Sequence, residues 1–541
     1  MSKIDWIILI VTLTGIIIYG IYKSKTSKNL DGYFLSNRSL PWYLVLLSIM
    51  GTQASAITFL TGPGQSYSDG MRFVQYYFGL PLAMIVISIF FVPVFCRLKV
   101  YTAYEFLEHR FDLKTRTLTS FLFLLSRGLS TGISIYAPSL VLSSLMGWNI
   151  YYTNIVMGGL LIIYTMSGGA KAVAHTQKLQ MIIVFVSLFI VGYLAVKLLP
   201  GAIGFNDALS MAGERGKMNI ITTGFTDKGF DWKDKYNIWS GLIGGFFLAL
   251  SYFGTDHSQV GRYLTAKNVT ESRKGLLING LVKVPMQFFI LLLGILIFSF
   301  YQYKKAPVYF DEATVQRAEK TIYRDSLQLT QKKYDAAQLM NDHVEAAAKR
   351  NEYRDLVRKS LHDKNLKDTD YIFLRFVKDN LPVGLIGIIF AIIFLAAWGS
   401  IAAALNSLAA CTVVDFHKKF FSKNKAELQD YKISQWYTLG WGIFCIVIAM
   451  FAQNIGNSLI EAVNILGSLF YGVILGIFLV AFWIKHVKGN SVFIAAVISE
   501  LLIIFIYNMD IISFLWLNVI GALLVIILSL ILQVFLKKSN A

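Results

Sequence analysis

About thirteen stretches of this chain are apolar for ~20 residues each, long enough to cross a ~30 Å hydrocarbon layer as helices. They lie near residues 5–22, 42–62, 74–96, 118–146, 150–166, 178–199, 237–256, 277–303, 382–413, 435–453, 458–484, 491–507 and 512–536, and we number them spans 1 to 13. A backbone in lipid must satisfy its own hydrogen bonds, so such runs fold as helices. The expected class is all-α, a polytopic membrane protein in contact with the lipid bilayer. Composition agrees, since 55% of the 541 residues are hydrophobic and only 15% are charged, a balance that excludes a soluble domain of this size.

The formal net charge of +18 raises nucleic acid as a partner until its location is read. Lys23, Lys25, Lys28 and Arg38 follow span 1, and Arg97, Lys99, Arg110, Lys114 and Arg116 follow span 3. Lys171 follows span 5, and Arg262, Lys267, Arg273 and Lys274 follow span 7. Lys418, Lys419, Lys423 and Lys425 follow span 9, Lys485 and Lys488 follow span 11, and Lys537 and Lys538 follow span 13. Lys and Arg accumulate in cytoplasmic loops, so the N-terminus is expected outside and the C-terminus in the cytoplasm. The basicity encodes topology, and no nucleic-acid partner is expected. Cys96, Cys411 and Cys445 lie in or beside spans and read as packing residues. The first run lacks a strong basic leader and a small-residue cleavage site, so no cleavable signal peptide is expected. With no His-Glu-x-x-His, Walker loop or Cys/His metal spacing, an enzyme is not expected. No repeated filter segment suggests a channel.

Ser48–Gly64 breaks the pattern, because Gly51, Thr52, Gln53 and Ser55 sit where a lipid-facing helix carries large apolar residues. A loosened backbone at that depth is tolerated only beside a protein cavity, and its carbonyls can hold a cation. Span 7 is interrupted in a similar way, by Gly241, Gly244, Gly245 and Gly254. The two stand five spans apart in opposite orientation, the pattern of an inverted repeat with a site near the midplane. The expected organisation is residues 1–41 as a peripheral span and cytoplasmic linker, 42–199 as the first repeat (spans 2–6), and 200–236 as an extracytoplasmic loop. Residues 237–484 form the second repeat (spans 7–11), and 485–541 add peripheral spans 12 and 13. The second repeat carries a polar extracytoplasmic insert, 304–380, whose middle has amphipathic spacing suited to a helical hairpin or a partner-docking surface.

The motifs resemble those of the sodium/solute symporter family over nearly the whole chain apart from the insert. The resemblance rests on Gly32-Tyr-Phe-Leu-Ser-Asn-Arg-Ser-Leu-Pro-Trp42, Tyr101-Thr-Ala-Tyr-Glu-Phe-Leu-Glu-His-Arg-Phe111, Ser167-Gly-Gly-Ala-Lys-Ala-Val173, Arg262-Tyr-Leu-Thr-Ala-Lys267 and Leu381-Pro-Val-Gly-Leu385. Thr131-Gly-Ile-Ser-Ile-Tyr-Ala-Pro-Ser139 is similar to the monocarboxylate, multivitamin and iodide branch. The resemblance implies a LeuT-type fold of two inverted five-helix repeats in the cell (inner) membrane. It also implies alternating access and symport of a small organic solute such as a monocarboxylate, with sodium as coupling ion and no other cofactor. By the same resemblance, the carbonyls of Gly51 and Ala54 in span 2 and Ala396, Gly399 and Ser400 in span 9 hold sodium. Oxygen ligands suit such a hard cation. Gly399 and Ala403 lack hydroxyls that relatives carry, and Gln177 stands where the family usually has an acidic residue.

Gln53, Thr58, Gln75, Tyr76, Tyr252 and Asn464 are the candidate substrate residues, neutral hydrogen-bonding groups with aromatic walls on the spans the family uses for substrate. Ionisable groups within spans are costly and face a cavity or a partner. Lys283 and Arg127 either meet an anionic solute or snorkel to the interface. Glu461 is either solvated or part of a vestibule, and Asp256 with His257 is either a solvated pair or a route to proton linkage. The alternatives are a proton-coupled or uncoupled transporter of sugar or sialic acid, and a transporter-like receptor that moves nothing.

Overall fold

The computed structural model describes every residue except 24–29, 202, 341, 422–426, 453–457 and 539–541. Lys25, Lys28, Lys423 and Lys425 lie outside the described residues. Among the described residues all thirteen apolar runs are mainly helical, span 2 being interrupted at Ala54 and Ser55. Among the described residues, ten helices are long and apolar enough to cross a membrane, and Trp42–Gln53, Ile150–Met166 and Ser240–Gly254 are shorter apolar helices. The only strands are a two-stranded hairpin, Phe225–Thr226 with Gly229–Phe230, again among the described residues.

Burial sorts the helices into centre and rim. Span 9, Leu385–Cys411, is the axis: 89% of its most apolar window is buried, and Ile389 to Cys411 has no exposed position. Its many alanines let neighbouring backbones approach closely, the way membrane helices pack without a hydrophobic driving force. Spans 1 (Lys3–Lys23) and 13 (Phe514–Lys538) have 22% of theirs buried. They present large apolar side chains such as Ile7, Val11, Ile527 and Phe535 to the surroundings, as lipid-facing helices must. Span 1 still reaches the axis through Asp5, whose Oδ1 accepts the Gly384 amide at 2.6 Å near the start of span 9.

Local chemistry sets the helix ends. Asp112 and Asn268 accept the amides of Thr115 and Glu271 at 2.8 and 3.0 Å, opening span 4 (Leu113–Met146) and span 8 (Val269–Tyr303). Spans 5 and 6 share the helical run Ile150–Lys197, which doubles back on itself. Tyr164 Oη lies 2.7 Å from Thr176 Oγ1, although twelve residues of straight helix would hold them ~18 Å apart.

The insert builds a small core of its own. Arg324–Leu339 and His343–Ser360 form an antiparallel hairpin packed around Leu327, Tyr334, Tyr353 and Val357. It reaches the second half of span 2 through Arg350, which lies over the Phe310 ring at 4.6 Å and donates to Tyr67 Oη at 3.4 Å. The Thr369 carbonyl presses on Gly64, where a Cβ would stand only 2.1 Å away. On the face of the bundle away from the insert, Arg116 donates to Asp415 Oδ1 at 2.9 and 2.5 Å and to Glu108 at 2.5 Å. Thr102 and Ser120 complete the Asp415 carboxylate at 2.8 Å each.

Candidate functional site

Span 2 is two helices, Trp42–Gln53 and Ala56–Asp69, parted at Ala54 and Ser55. The break redirects two amides. Ser55 N–H, which a continuous helix would give to Gly51, goes to the Gln53 carbonyl at 3.1 Å, and Thr58 N–H goes to Ser55 rather than Ala54, at 3.0 Å. The Gly51 and Ala54 carbonyls therefore lose the helical partners that would otherwise cover them. Span 7 breaks as well: Ser240–Gly254 ends at Thr255, and a short helix, His257–Tyr263, resumes under an Asp256 cap.

The span 2 break opens onto a cavity of about 110 Å³, room for several waters or a small solute. Gln53, Thr58, Tyr76, Tyr252 and Asn464, five of the six candidate substrate residues, line it. Tyr76 Oη donates to Asn464 Oδ1 at 3.1 Å, joining the span 3 entry to span 11 (Leu459–Trp483). Tyr252 Oη accepts from Gln259 at 2.7 Å. Gln75 lies elsewhere. Its amide is spent on Thr222 Oγ1 and the Tyr236 carbonyl at 3.0 and 3.1 Å, and it accepts the Thr222 amide at 3.1 Å. It staples the span 3 entry to the 200–236 loop instead of facing the cavity.

Arg127 reaches the cavity wall from span 4 and does not snorkel. Its guanidinium lies 5.7 Å from the Tyr252 ring centroid and 3.8 Å from Asp256 Oδ2. Asp256 is already served by Tyr471 Oη at 2.7 Å and by the Ser258 amide at 2.7 Å. Arg127 Nε has no partner. Guanidinium donors in such a setting match a carboxylate, which pairs with two of them at once. Asp256 and His257 are not the solvated pair the sequence allowed: both are buried, and the carboxylate turns to Tyr471 and Arg127. Glu461 is also buried rather than solvated, held by Lys235 at 3.1 Å and Tyr236 at 3.4 Å. Tyr77, Tyr471 and Gly467 line the cavity too, and sequence reading missed them. Asn464, Gly467 and Tyr471 follow i, i+3, i+7 spacing, a face signal that could have found them.

The span 9 residues named for a cation lie at the seam beside the break. Ala54 and Ala396 share one buried cluster with Met50, Met181 and Ile392. Ser400 Oγ donates back to the Ala396 and Ala397 carbonyls at 3.0 and 3.1 Å, leaving its lone pairs free to accept. Gln177, from span 6, bridges the two helices. Its Oε1 accepts from Ser48 Oγ at 2.8 Å, and its Nε2 donates to Thr52 Oγ1 at 3.2 Å and to the Gly399 carbonyl at 3.0 Å. It packs so close to Gly51 that a Cβ there would stand 2.9 Å from its Cγ.

The sequence profile of the Sodium:solute symporter family matches residues 33–322 and 359–499. The chain belongs to the sodium:solute symporter family. Members of this family are transporters, not enzymes, and the chain is an integral multi-pass membrane protein. The profile leaves out residues 323–358, which hold nearly all of the insert hairpin. The chain is 25% identical to the sodium/sialic acid symporter NanT of Aliivibrio fischeri, over 99% of this chain and 94% of that protein. It is 27% identical to sodium-coupled monocarboxylate transporter 1 of Xenopus laevis, over 88% of this chain and 67% of that one. Its fold matches the substrate-bound, outward-open structure of a Na+-coupled sialic acid symporter with TM-score 0.79 at 22% identity, covering 99% and 98% of the two chains. The LeuT-type architecture expected from the motifs is the fold of this symporter.

Proposed function

We propose that this symporter couples sodium to the import of a small organic acid by alternating access. The observation that carries the acid is Arg127, a buried guanidinium on the cavity wall beside the Tyr252 ring, with an unpartnered Nε and a long 3.8 Å contact to Asp256. A carboxylate there gains a charge-assisted pair that a neutral sugar does not. Gln53, Thr58, Tyr76, Tyr252 and Asn464 supply the remaining polar and aromatic wall. Sodium sits between the Gly51 and Ala54 carbonyls and span 9, with Ala396 and Ser400 as further oxygens. The Gly399 carbonyl, already engaged by Gln177, is the weakest ligand of that set. Sodium/sialic acid and monocarboxylate symporters among the relatives support an acidic solute. In this reading the insert lies outside and the C-terminus in the cytoplasm of a cell (inner) membrane, an orientation the basic loops support, and residues 42–199 and 237–484 are the two repeats.

The test is uptake into proteoliposomes of sialic acid, lactate and glucose, with and without an inward sodium gradient. The reading expects one of the acids to accumulate only with sodium, and glucose not to. Accumulation of glucose alone, or acid uptake indifferent to sodium, contradicts it. Binding without accumulation identifies a receptor.

A further inference from the structure

A cavity of about 610 Å³ lies between the insert hairpin, the Tyr303 end of span 8 and the 200–236 loop. Arg215, Lys217, Lys304, Lys305, Arg350 and Arg354 line it, against Asp335 as the one carboxylate among its described lining residues. The rings of Tyr67, Phe298, Tyr301 and Tyr334 supply the rest of the wall. Counter-charge falls short of these cations. Asp335 pairs with Lys305 at 2.8 Å, and Asp368 serves both Arg354 at 2.7 Å and Arg350 at 3.6 Å. Among the described residues, Arg215, Lys217 and Lys304 have no carboxylate within ion-pair distance. Lys217 Nζ donates instead to the Ser68 carbonyl at 2.5 Å and lies over the Phe298 ring at 5.4 Å. Nε of Arg350, Nε of Arg354 and Oε1 of Gln338 are sealed from solvent without a hydrogen-bond partner, and buried polar atoms are costly until water or a ligand satisfies them. Lys283, by contrast, is fully buried in span 8 and lines neither this cavity nor the solute cavity.

Ser68 and Arg354 also line a second cavity, of about 560 Å³, so the two adjoin. There cations and carboxylates nearly balance: Arg72 pairs with Asp69 and Asp234 at 2.9 and 2.8 Å, and Lys235 with Glu461 at 3.1 Å. Gln65 and Ser458 line it too, joined by a 3.3 Å hydrogen bond from Ser458 Oγ to Gln65 Oε1. Asn464 of the solute cavity stands about one turn of span 11 beyond Glu461. The unbalanced positive charge is therefore concentrated in the first cavity, one compartment away from the solute site.

We propose that the first cavity is a second binding site, for a small organic carboxylate, built jointly by the insert and the 200–236 loop. Ammonium and guanidinium donors pair with the carboxylate, and the rings cover its carbon skeleton. Gln338 Oε1 accepts from a ligand hydroxyl. A cleft lined by one sign of charge also raises the local concentration of the opposite ion. Tyr334, Gln338, Arg350 and Arg354 lie in the stretch that the family profile leaves out, so the site belongs to this chain's insert rather than to the shared transport core. The proposal deepens the reading above and rests on it: with the insert outside, the cavity is a first stop for the same acid.

The test is equilibrium binding of sialic acid and of lactate to the full-length symporter in lipid nanodiscs, for wild type, R127Q and R215Q/K304Q. Arg215 and Lys304 are exposed, so the double variant should keep the wild-type melting temperature. One acid should bind wild type in two components, only one of them tightened by sodium. R127Q should lose the sodium-responsive component and keep the other, which the double variant should weaken by about tenfold, the scale of lost charge-assisted contacts. A single component that vanishes in R127Q overturns the second site and leaves the acid reading standing. Binding that R127Q does not alter and the double variant weakens removes Arg127 from the solute site and upholds this one. Inorganic phosphate that displaces the sodium-insensitive component as well as the acid does reveals unselective charge attraction and overturns the carboxylate assignment. Failure of both acids to bind R127Q overturns the proposal as well.

Discussion

Arg127 and Ser400 illustrate how one side chain can separate the two halves of the proposed symport. Arg127→Gln keeps a polar group but loses the charge, and should raise the KM for the acid by about tenfold or more, the scale of a lost charge-assisted pair. Uptake kinetics check this; an unchanged KM removes Arg127 from the solute site. Ser400→Ala deletes the one span 9 hydroxyl in the proposed sodium shell. It should raise the sodium concentration for half-maximal uptake by roughly fivefold, equivalent to about 1 kcal/mol. Unchanged sodium dependence would return Ser400 to a serine that only bonds its own helix. At this scale the sequence was partly legible. Gln53, Thr58, Tyr76, Tyr252 and Asn464 converge because broken helices and small residues bring their spans together. Gln75 is adjacent to Tyr76, yet one residue of rotation sends its amide to the 200–236 loop. The sequence left Arg127 and Lys283 ambiguous, because burial depends on which neighbouring helix covers each, and periodicity does not encode that.

The elements depend on a few close contacts. Asp415 neutralises Arg116 in a buried network that joins the 101–111 loop, span 4 and the end of span 9. Asp415→Ala leaves a buried arginine without its main partner and should cost about 3 kcal/mol or more, read as a lower melting temperature, with Asp415→Asn losing less. The insert meets span 2 where Thr369 presses on Gly64, and Gly64→Val should displace it and raise protease sensitivity in 304–380. Asp370, beside that contact, has Oδ1 sealed from solvent without a partner. Burial pushes its carboxyl up to about 7, with Glu461 and Asp368 adding to the rise against the Leu459 amide and Lys367. A raised carboxylate stabilises the packed state fully below its unfolded value near 4 and loses that contribution as pH passes about 7. Insert docking, followed by hydrogen exchange, should therefore loosen as pH rises from about 4 to about 7 in wild type and not in Asp370→Asn. The helices themselves were legible from apolar length alone, and so was the span 2 break, from Gly51 to Ser55. The fold-back between Tyr164 and Thr176 was expected as two spans, although the backbone runs helically through it.

For the molecule as a whole, basic loops and paired broken helices carried most of the architecture, since a bilayer leaves a chain few ways to satisfy its backbone. The same charges support the proposed orientation. A cysteine at exposed Leu339 in the insert should react with an impermeant maleimide from outside intact cells, and one at Lys485 only after permeabilisation; the reverse pattern inverts the topology. What the sequence could not rank was the solute, because Arg127 acquires meaning only once its cavity is closed around it. The central claim is that an acid on Arg127 and sodium at the span 2 break stabilise the same arrangement of helices. Equilibrium binding of sialic acid and lactate to the purified symporter, at low and at saturating sodium, tests it most directly. The account predicts that sodium tightens the binding of one of these acids and that the acid tightens sodium by the same factor. Acid binding that is the same with and without sodium would contradict it.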